Sequence, residues 1–370
     1  MKKNHLIAII MSTFIAFTLA ACGQSSSTTN EVNGEEGQEV ANHSGNKKEN
    51  LIIGTHPSGS AYNSTGSGVA SVVTQFSPLQ VTVQPYEGPN AWMPLLNNGE
   101  IDLGIISSPD LFWGIRGEHG HPEANSNVRA LVVGNYPPTN GIVVREDSDI
   151  LTTADLKGKK VAAGYAGNQL TQLLVEYHLN SVGLTWEDVE PVPVTSTPGG
   201  LEALQDGRVD AALGLSPVSA TTLEVDAAVN GLRVLNLADI EPENFEDFPE
   251  DVAKKIEEGI PGTKLAVYED IGILEGESAL IYEYPIMLAT TTHLHEENVY
   301  EILTALWENY EELHPLYAWL EDWRPTTMFQ EKPPVPYHPG AIQFFKDQGL
   351  WTEDAEKHHQ ELLDVLQLEE

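Results

Sequence analysis

Two short stretches of the chain share one pattern, and together they decide the fold. Residues 95–102 read LLNNGEID, and residues 203–210 read ALQDGRVD, 108 positions further along. In each stretch an apolar helical segment runs into a glycine, the residue that most readily adopts the positive φ at which a helix ends. An apolar strand follows at once. The recurrence predicts two similar halves within one chain.

The segments around both corners alternate between short apolar strands and helices. Strands are predicted at residues 51–54, 81–83, 103–106, 128–133 and 141–144 of the first half, and at residues 160–164, 192–194 and 211–215 of the second. Helices are predicted at residues 63–76, 91–97, 170–179 and 201–205. This alternation is typical of α/β layers built on a mainly parallel sheet. We therefore predict an α/β fold with two lobes.

The remaining segments suggest where each lobe begins and ends. Residues 279–291 form a long apolar stretch that can return the chain to the first lobe, and residues 296–313 have helical periodicity. Residues 239–259 are acidic and irregular. We expect the first lobe at residues 50–143 plus 280–350, the second lobe at residues 144–279, and a C-terminal helix within residues 351–370.

The N-terminus predicts export and a lipid anchor. Lys2 and Lys3 precede an apolar run at residues 6–20, which has the length of a secretory signal rather than of a membrane-spanning helix. We expect residues 1–21 to be a signal peptide. Cys22 is the only cysteine and follows small residues, as does the lipidated cysteine of bacterial lipoproteins; two acyl chains give stable anchoring. The alternative is a plain secreted protein. Residues 22–49 are polar and are interpreted as a flexible tether.

The chain is strongly acidic. It contains 19 Lys and Arg residues against 55 Asp and Glu residues, a net charge of −36. Loss of residues 1–21, which hold two lysines and no acid, would bring the net charge to −38. Such a charge excludes nucleic acid and anionic lipid surfaces as partners. The acidity indicates either adaptation to saline or alkaline surroundings or a binding role, and we favour the first.

Motifs for catalysis are few. The sequence has no Gly-x-Ser-x-Gly motif, and its one cysteine is expected to carry lipid. Residues 54–60 resemble part of a phosphate-binding loop but lack its lysine. His293, His295 and the pair His358 and His359 could be metal ligands, although solvent-exposed polar residues are the simpler interpretation. We expect no enzymatic activity, no cofactor and no metal.

Polar, glycine-rich loops follow several of the predicted strands. They occupy residues 57–63, 86–90, 106–109, 164–169 and 214–217. Ligands of open α/β sheets bind beyond the carboxyl ends of the strands, where the N–H groups of helix N-termini attract anionic groups. We therefore predict that these loops face one cleft between the lobes and bind a small molecule there.

At these loops the sequence resembles the TAXI family, the solute receptors of tripartite ATP-independent periplasmic (TRAP) transporters. The similarity covers residues 50–350 and is carried by residues 51–70, 87–110, 141–164, 204–210 and 335–341. Its most specific pieces are GTxPxG at residues 54–59, followed by Tyr62, and NGExDL at residues 98–103.

The resemblance implies a two-lobed periplasmic-binding-protein type II fold that closes on its ligand about a hinge. It implies that the solute is a glutamate-like amino acid or another small organic acid. The implied partners are TRAP membrane permease subunits, which take the solute inward on a sodium gradient. The implied location is outside the cell membrane, anchored through Cys22. A sensory receptor of the same fold that signals to a protein partner is the second hypothesis, and an extracytoplasmic enzyme is the third.

The chain departs from the family pattern within the loops. Residues 60–63 read SAYN where the family usually has GTYY, and residues 167–170 read GNQL where it usually has GSGT. Trp92 replaces a common asparagine, and it is either part of the helix packing or an apolar wall of the cleft. Amino-acid specificity therefore does not follow from the resemblance.

The candidate ligand-binding residues come from the resemblance and from the polar loops. The resemblance assigns Ser58, Gly59, Ser60 and Tyr62 to the first loop, Gly88 and Pro89 to the second, Ser107 and Ser108 to the third, and Gly167, Asn168 and Gln169 to the second lobe. The loops add Asn63, Asn90, Tyr165 and Ser216, and Trp92 is included as the possible apolar wall.

Overall fold

The computed structural model describes residues 47–134, 138–139 and 141–368. The predicted signal peptide, Cys22 and most of the predicted tether lie outside the described residues, so lipidation stays a prediction. The tether was expected to extend to residue 49. Lys47 and Lys48 nevertheless contact the folded chain, because the Lys48 ammonium lies 2.6 Å from a carboxylate oxygen of Asp102 and its backbone N–H donates to Asn298.

The described chain alternates between strands and helices over most of its length. The strands are β1 Asn50–Thr55, β2 Gln80–Pro85, β3 Leu103–Ser107, β4 Val128–Val133, β5 Pro138–Thr139, β6 Ile142–Arg145, β7 Lys160–Ala163, β8 Glu190–Pro193, β9 Ala211–Leu213, β10 Leu232–Val234, β11 Lys264–Glu269, β12 Ser278–Glu283 and β13 Ile286–Thr291. The helices are α1 Ala61–Phe76, α2 Pro89–Asn97, α3 Ser108–Arg116, α4 Gln169–Ser181, α5 Thr197–Gln205, α6 Ala220–Val229, α7 Glu250–Gly259, α8 Glu296–Glu308, α9 Pro339–Asp347 and α10 Glu353–Leu366.

The strands form two five-stranded sheets, one in each lobe. The order is β2-β1-β3-β13-β4 in lobe I and β10-β6-β9-β7-β8 in lobe II. Each sheet packs against helices around its own hydrophobic core, which is centred on residues such as Ile53 and Leu288 in lobe I and Val143 and Leu174 in lobe II. The fold is therefore α/β with two lobes, as the sequence predicts.

The repeated corner is the same in both lobes down to single hydrogen bonds. Gly99 and Gly207 adopt φ values of 72° and 69°. Directly before β3, Asp102 makes two hydrogen bonds to Ile52: its N–H donates to the Ile52 carbonyl at 3.0 Å, and its carboxylate accepts from the Ile52 N–H at 2.9 Å. Asp210, directly before β9, makes the same pair of bonds to Lys160, both at 2.8 Å. In each lobe the aspartate thus joins two neighbouring parallel strands, β3 to β1 in lobe I and β9 to β7 in lobe II.

The sheets are mixed: in each, four strands run in one direction, as predicted for a mainly parallel sheet, and one strand runs against them. β1 runs parallel to β2 and β3, and β7 runs parallel to β8 and β9, but β13 and β6 run antiparallel to both of their neighbours. The cause is the path of the chain. β6 and β13 each begin directly after the chain crosses from one lobe to the other. They therefore start at the end of the sheet where the parallel strands finish, and they run in the opposite direction.

Two crossings join the lobes, one between β4 and β6 and one between β12 and β13. Beside them β5, β11 and β12 form a small antiparallel sheet, in which Tyr282 pairs with Thr139. β6 therefore begins with Ile142 inside the sheet of lobe II, two residues before the predicted boundary, and β12 pairs with β11 of the predicted second lobe. The lobe boundaries themselves stay a prediction.

Several helices are absent from the sequence-based prediction. α3 follows β3 directly, α6 follows β9 after a loop of six residues, and α7 lies in residues 239–259, which were expected to be irregular. In α7 the one buried residue is Ile256, and six of the ten residues are charged. His359 corrects another expectation, since its ring is buried against Trp351 in the C-terminal part of the chain instead of exposed.

Candidate functional site

A cavity lies between the two lobes, at the carboxyl ends of β1, β7 and β9. It comprises about 540 Å³ of space that no atom occupies, including its opening to solvent. Lobe I contributes the loop after β1 and Glu87, the crossings contribute Thr139 and Tyr284, and lobe II contributes the loops after β7, β8 and β9. The lining residues are His56, Pro57, Ser60, Ala61, Tyr62, Glu87, Thr139, Asn168, Thr171, Thr197, Pro198, Leu213, Gly214, Leu215, Ser216 and Tyr284.

Three helices begin at the cavity wall. Ser60 caps α1, and its hydroxyl accepts from the Asn63 N–H at 3.2 Å. Asn168 caps α4 by accepting from the Thr171 N–H at 3.2 Å, and Thr197 is the first residue of α5. Helix N-termini carry a partial positive charge on their free N–H groups. The cavity therefore offers hydrogen-bond donors and a favourable field for one anionic group, without a cationic side chain.

Two buried polar side chains on the wall have no partner. The two ring nitrogens of His56 and the hydroxyl of Ser216 make no hydrogen bond to any described residue. Both residues are nevertheless buried, since His56 is 4% exposed and Ser216 is 5% exposed. Buried polar groups are normally paired, because an unpaired one costs free energy. His56 stacks on the ring of Tyr62 at 3.8 Å between centroids, and burial lowers its pKa to about 3. A neutral imidazole and a hydroxyl are thus available to a bound molecule.

A second polar layer lies behind the wall. Burial raises the pKa of Tyr62 well above its usual value, and the neighbouring Tyr284 and Asp110 add to this shift. The Tyr284 hydroxyl accepts from Thr139 at 3.2 Å. The carboxyl group of Asp110 is 1% exposed and accepts from the Ser107 hydroxyl at 2.6 Å. Burial, only partly opposed by that hydrogen bond, raises its pKa to about 7.

The lobes touch along one side of the cavity. The Thr195 hydroxyl of lobe II donates to the Glu87 carboxylate of lobe I at 3.2 Å. The backbone N–H of Asn90 donates to the Gly167 carbonyl at 3.3 Å, and its side-chain oxygen accepts from the Gln169 N–H at 3.1 Å. A Cβ atom added to Gly88 would lie 2.1 Å from the Gly167 oxygen, so the absence of a side chain permits this approach. The structure is a closed form, in which both lobes contact one another.

The predicted site residues fall into three groups by position. Ser60, Tyr62, Asn168 and Ser216 line the cavity. Gly59, Gly88, Asn90, Gly167 and Gln169 lie where the lobes meet, Gly59 facing Thr221 of α6. Pro89 begins α2 next to this contact, Ser107 and Ser108 begin α3 behind the wall, Asn63 donates to Thr55, and Ser58 is exposed beside the loop.

Two predicted residues are part of the cores. Trp92 is fully buried in lobe I, where its ring packs against Gly54 and Gly104. A Cβ atom added to Gly54 would lie 3.3 Å from the ring, and one added to Gly104 would lie 2.4 Å from it. This position corresponds to helix packing and not to an apolar wall of the cleft. Tyr165 is fully buried in lobe II, where its hydroxyl accepts from the Leu213 N–H at 3.2 Å.

Most of the lining residues that were not predicted are not identified by any pattern in the sequence around them. Glu87 and Leu215 are in loops that the pattern of strands and glycines identifies, and His56 directly precedes such a loop; the side-chain roles of all three were not assigned. Thr139 and Tyr284 lie at the crossings between lobes, and Thr171, Thr197 and Leu213 lie inside elements. Their contribution depends on how the lobes are arranged, which no local pattern contains.

The serines and the histidine of the cavity wall are not paired with one another. Ser60 donates to the Pro57 carbonyl at 2.7 Å, and no hydrogen bond joins His56 to either serine of the wall, so the histidine does not activate them in this structure. Within the described residues, no three or more His, Cys, Asp or Glu side chains are grouped so that they could hold a metal ion. In the same part of the chain, none of the helices combines the length and apolar character needed to cross a membrane.

Comparison with known proteins gives the family. A model of the NMT1-like family matches residues 53–349. The chain belongs to the NMT1-like family. The similarity to this family spans both lobes and includes every residue that lines the cavity.

Individual relatives of this NMT1-like protein share less of the chain. A Haemophilus influenzae protein provisionally named as a thiamine biosynthesis protein is 28% identical over 222 residues, which are 60% of this chain and 55% of that protein. An Escherichia coli protein provisionally named as an aliphatic sulfonates-binding protein is 35% identical over 145 residues, 38% of this chain and 40% of that protein. The chain thus spans about half the length of these curated relatives.

A solved structure with a similar course of the chain is the alkanesulfonate-binding protein SsuA from Xanthomonas axonopodis pv. citri, bound to MOPS. The two chains are 19% identical, and the match covers 84% of this NMT1-like protein and 96% of SsuA with a TM-score of 0.43.

Proposed function

We propose that this NMT1-like protein is an extracytoplasmic receptor that captures a small solute between its two lobes and does not alter it chemically. The observation that carries the proposal is the cavity itself. Three helix N-termini and the unpaired polar groups of His56 and Ser216 converge there from both lobes. A pocket between two lobes with a few convergent polar groups is typical of small-molecule sites. A relative named as a sulfonate-binding protein is in keeping with this function.

We further propose, from the resemblance to the TAXI family, that the receptor delivers its solute to a sodium-coupled TRAP permease. The solute would be an amino acid or another small organic acid, and lipidated Cys22 would hold the protein at the outer side of the cell membrane. The second candidate is a sensory receptor of the same fold that signals to a protein partner. Permease genes beside the gene for this chain would favour delivery, and a histidine kinase gene would favour sensing.

A thermal-unfolding screen against small metabolites tests the receptor function. A ligand present at about 100 times its Kd adds about 2.7 kcal/mol to the free energy of unfolding, so the melting temperature of the mature protein should rise by several degrees. Ser216→Trp, which fills the cavity, should abolish the shift. Ser67→Trp makes the same change on the exposed side of α1 and should keep it. Shifts of equal size in both variants would contradict binding in this cavity.

A further inference from the structure

The charge of the cavity wall is carried by one side chain. Of the described residues that line the cavity, Glu87 is the only one with a charged side chain, because burial keeps His56 neutral by lowering its pKa to about 3. A bound molecule thus meets no lysine or arginine among the described lining residues.

Glu87 belongs to lobe I and also contacts lobe II beside the cavity. It lies in the loop between β2 and α2 of lobe I, and its carboxylate accepts a hydrogen bond from Thr195 of lobe II at 3.2 Å. The loop around Gly167 also packs directly on Glu87, since a Cβ added to Gly167 would lie 2.8 Å from the Glu87 Cβ. The Glu87 side chain is exposed even in this closed form, so its carboxylate lies at the opening of the cavity, where a positively charged group of a solute can reach it.

The charge of the wall also limits the negative charge of the solute. The N-termini of α1, α4 and α5 favour one carboxylate of a solute. A second carboxylate would meet Glu87 without a cationic side chain among the described lining residues to offset the repulsion, and an unpaired charge in such a site is costly.

We propose that Glu87 is the charge-selecting residue of the cavity, and that the solute carries a positively charged group and no more than one carboxylate. Amines, betaines and neutral or basic amino acids meet this description. Glutamate and dicarboxylates do not, which narrows the solute class expected from the resemblance. The inference rests on the proposed solute-binding function and goes beyond it, because it names the chemistry of the solute and the residue that selects it.

Isothermal titration calorimetry with four probes of similar size tests this inference. Lysine, glutamine, glutamate and succinate carry net charges of about +1, 0, −1 and −2 at neutral pH. We expect the mature protein to bind lysine or glutamine at least about tenfold more tightly than glutamate, and succinate not at all. Glu87→Gln should reduce the ratio of the glutamate Kd to the lysine or glutamine Kd by about two- to fivefold, as expected for a pair of charges of which one is exposed to solvent.

The matched control is Glu190→Gln, which removes the same charge at the start of β8, at the end of the sheet away from the cavity. It should leave the ratio unchanged. Tighter binding of succinate or glutamate than of lysine and glutamine would overturn the inference and leave the receptor function intact. Binding of none of the four probes would also overturn it, and the metabolite screen would then decide on the receptor function alone.

Discussion

Asp110 shows at the scale of one residue how burial makes a side chain sensitive to pH. Its carboxyl group is buried at the start of α3, and burial raises its pKa from 3.8 to about 7. Between these values the folded protein holds the proton, and the unfolded chain loses it. Unfolding therefore releases a proton, and the contribution of Asp110 to stability decreases as the pH rises from about 4 to 7.

Asp110→Asn should remove this pH dependence. The variant is expected to gain stability relative to the wild type as the pH rises, by up to about 4 kcal/mol at pH 8, since each pKa unit corresponds to about 1.4 kcal/mol. Denaturant unfolding at pH 4, 6 and 8 measures the difference. Asp364→Asn, an exposed position on α10, is the control and should show no such trend. A difference between Asp110→Asn and the wild type that stays constant with pH would mean that Asp110 ionises normally.

Single residues could be predicted from the sequence where a local rule assigns their role. Ser60 and Asn168 follow strands and cap helices, so their place at the cavity wall could be expected. Tyr284 could not, because it reaches the wall only through the second crossing between lobes. The role of Trp92 is ambiguous in the sequence, because an apolar residue on a helix suits a hydrophobic core and the wall of a ligand site equally well. Its packing against glycines of two strands places it in the core, and this packing is known only from the structure.

At the scale of elements, the start of α2 and the start of α4 form a clasp between the lobes. Asn90 makes two bonds across it, one from its backbone to Gly167 and one from its side-chain oxygen to Gln169. The side-chain bond can be removed while the backbone bond remains. A typical hydrogen bond contributes about 0.5–1.5 kcal/mol net, so its loss should shift the balance between closed and open forms about two- to tenfold toward the open one.

Single-molecule fluorescence transfer between dyes on the two lobes measures this balance in the unliganded protein. Asn90→Ala should increase the low-transfer, open population. Asn127→Ala is the matched control, because it removes a side-chain bond to the Asn97 carbonyl within lobe I. An unchanged distribution in Asn90→Ala, or equal changes in both variants, would show that the clasp does not hold the closed form.

Elements were predictable where apolar periodicity or a glycine corner identifies them. The strands and helices around Gly99 and Gly207 agree with the prediction within a few residues, because the corner fixes where each helix ends. The direction of β6 and β13 could not be inferred in this way. It depends on which strands follow a crossing between lobes, and this is a property of the whole chain path.

At the scale of the whole molecule, the two lobes follow from the repeated corner. Asp102 and Asp210 make equivalent bonds in the two sheets, so the similarity of residues 95–102 and 203–210 reflects a shared structural role. The arrangement of the lobes around a cavity is not contained in either half. It arises because the chain crosses between them twice, and the wall therefore combines residues as distant as His56 and Tyr284.

Native mass spectrometry of the mature protein, purified from the organism that encodes it, tests most directly whether the cavity holds a solute. We predict one small-molecule adduct per chain, which is released when the protein unfolds. The adduct should be absent from Ser216→Trp and present in Ser67→Trp. A bare polypeptide mass for the folded wild type, or an adduct that persists when the cavity is filled, would contradict the proposal that the two lobes close on a solute.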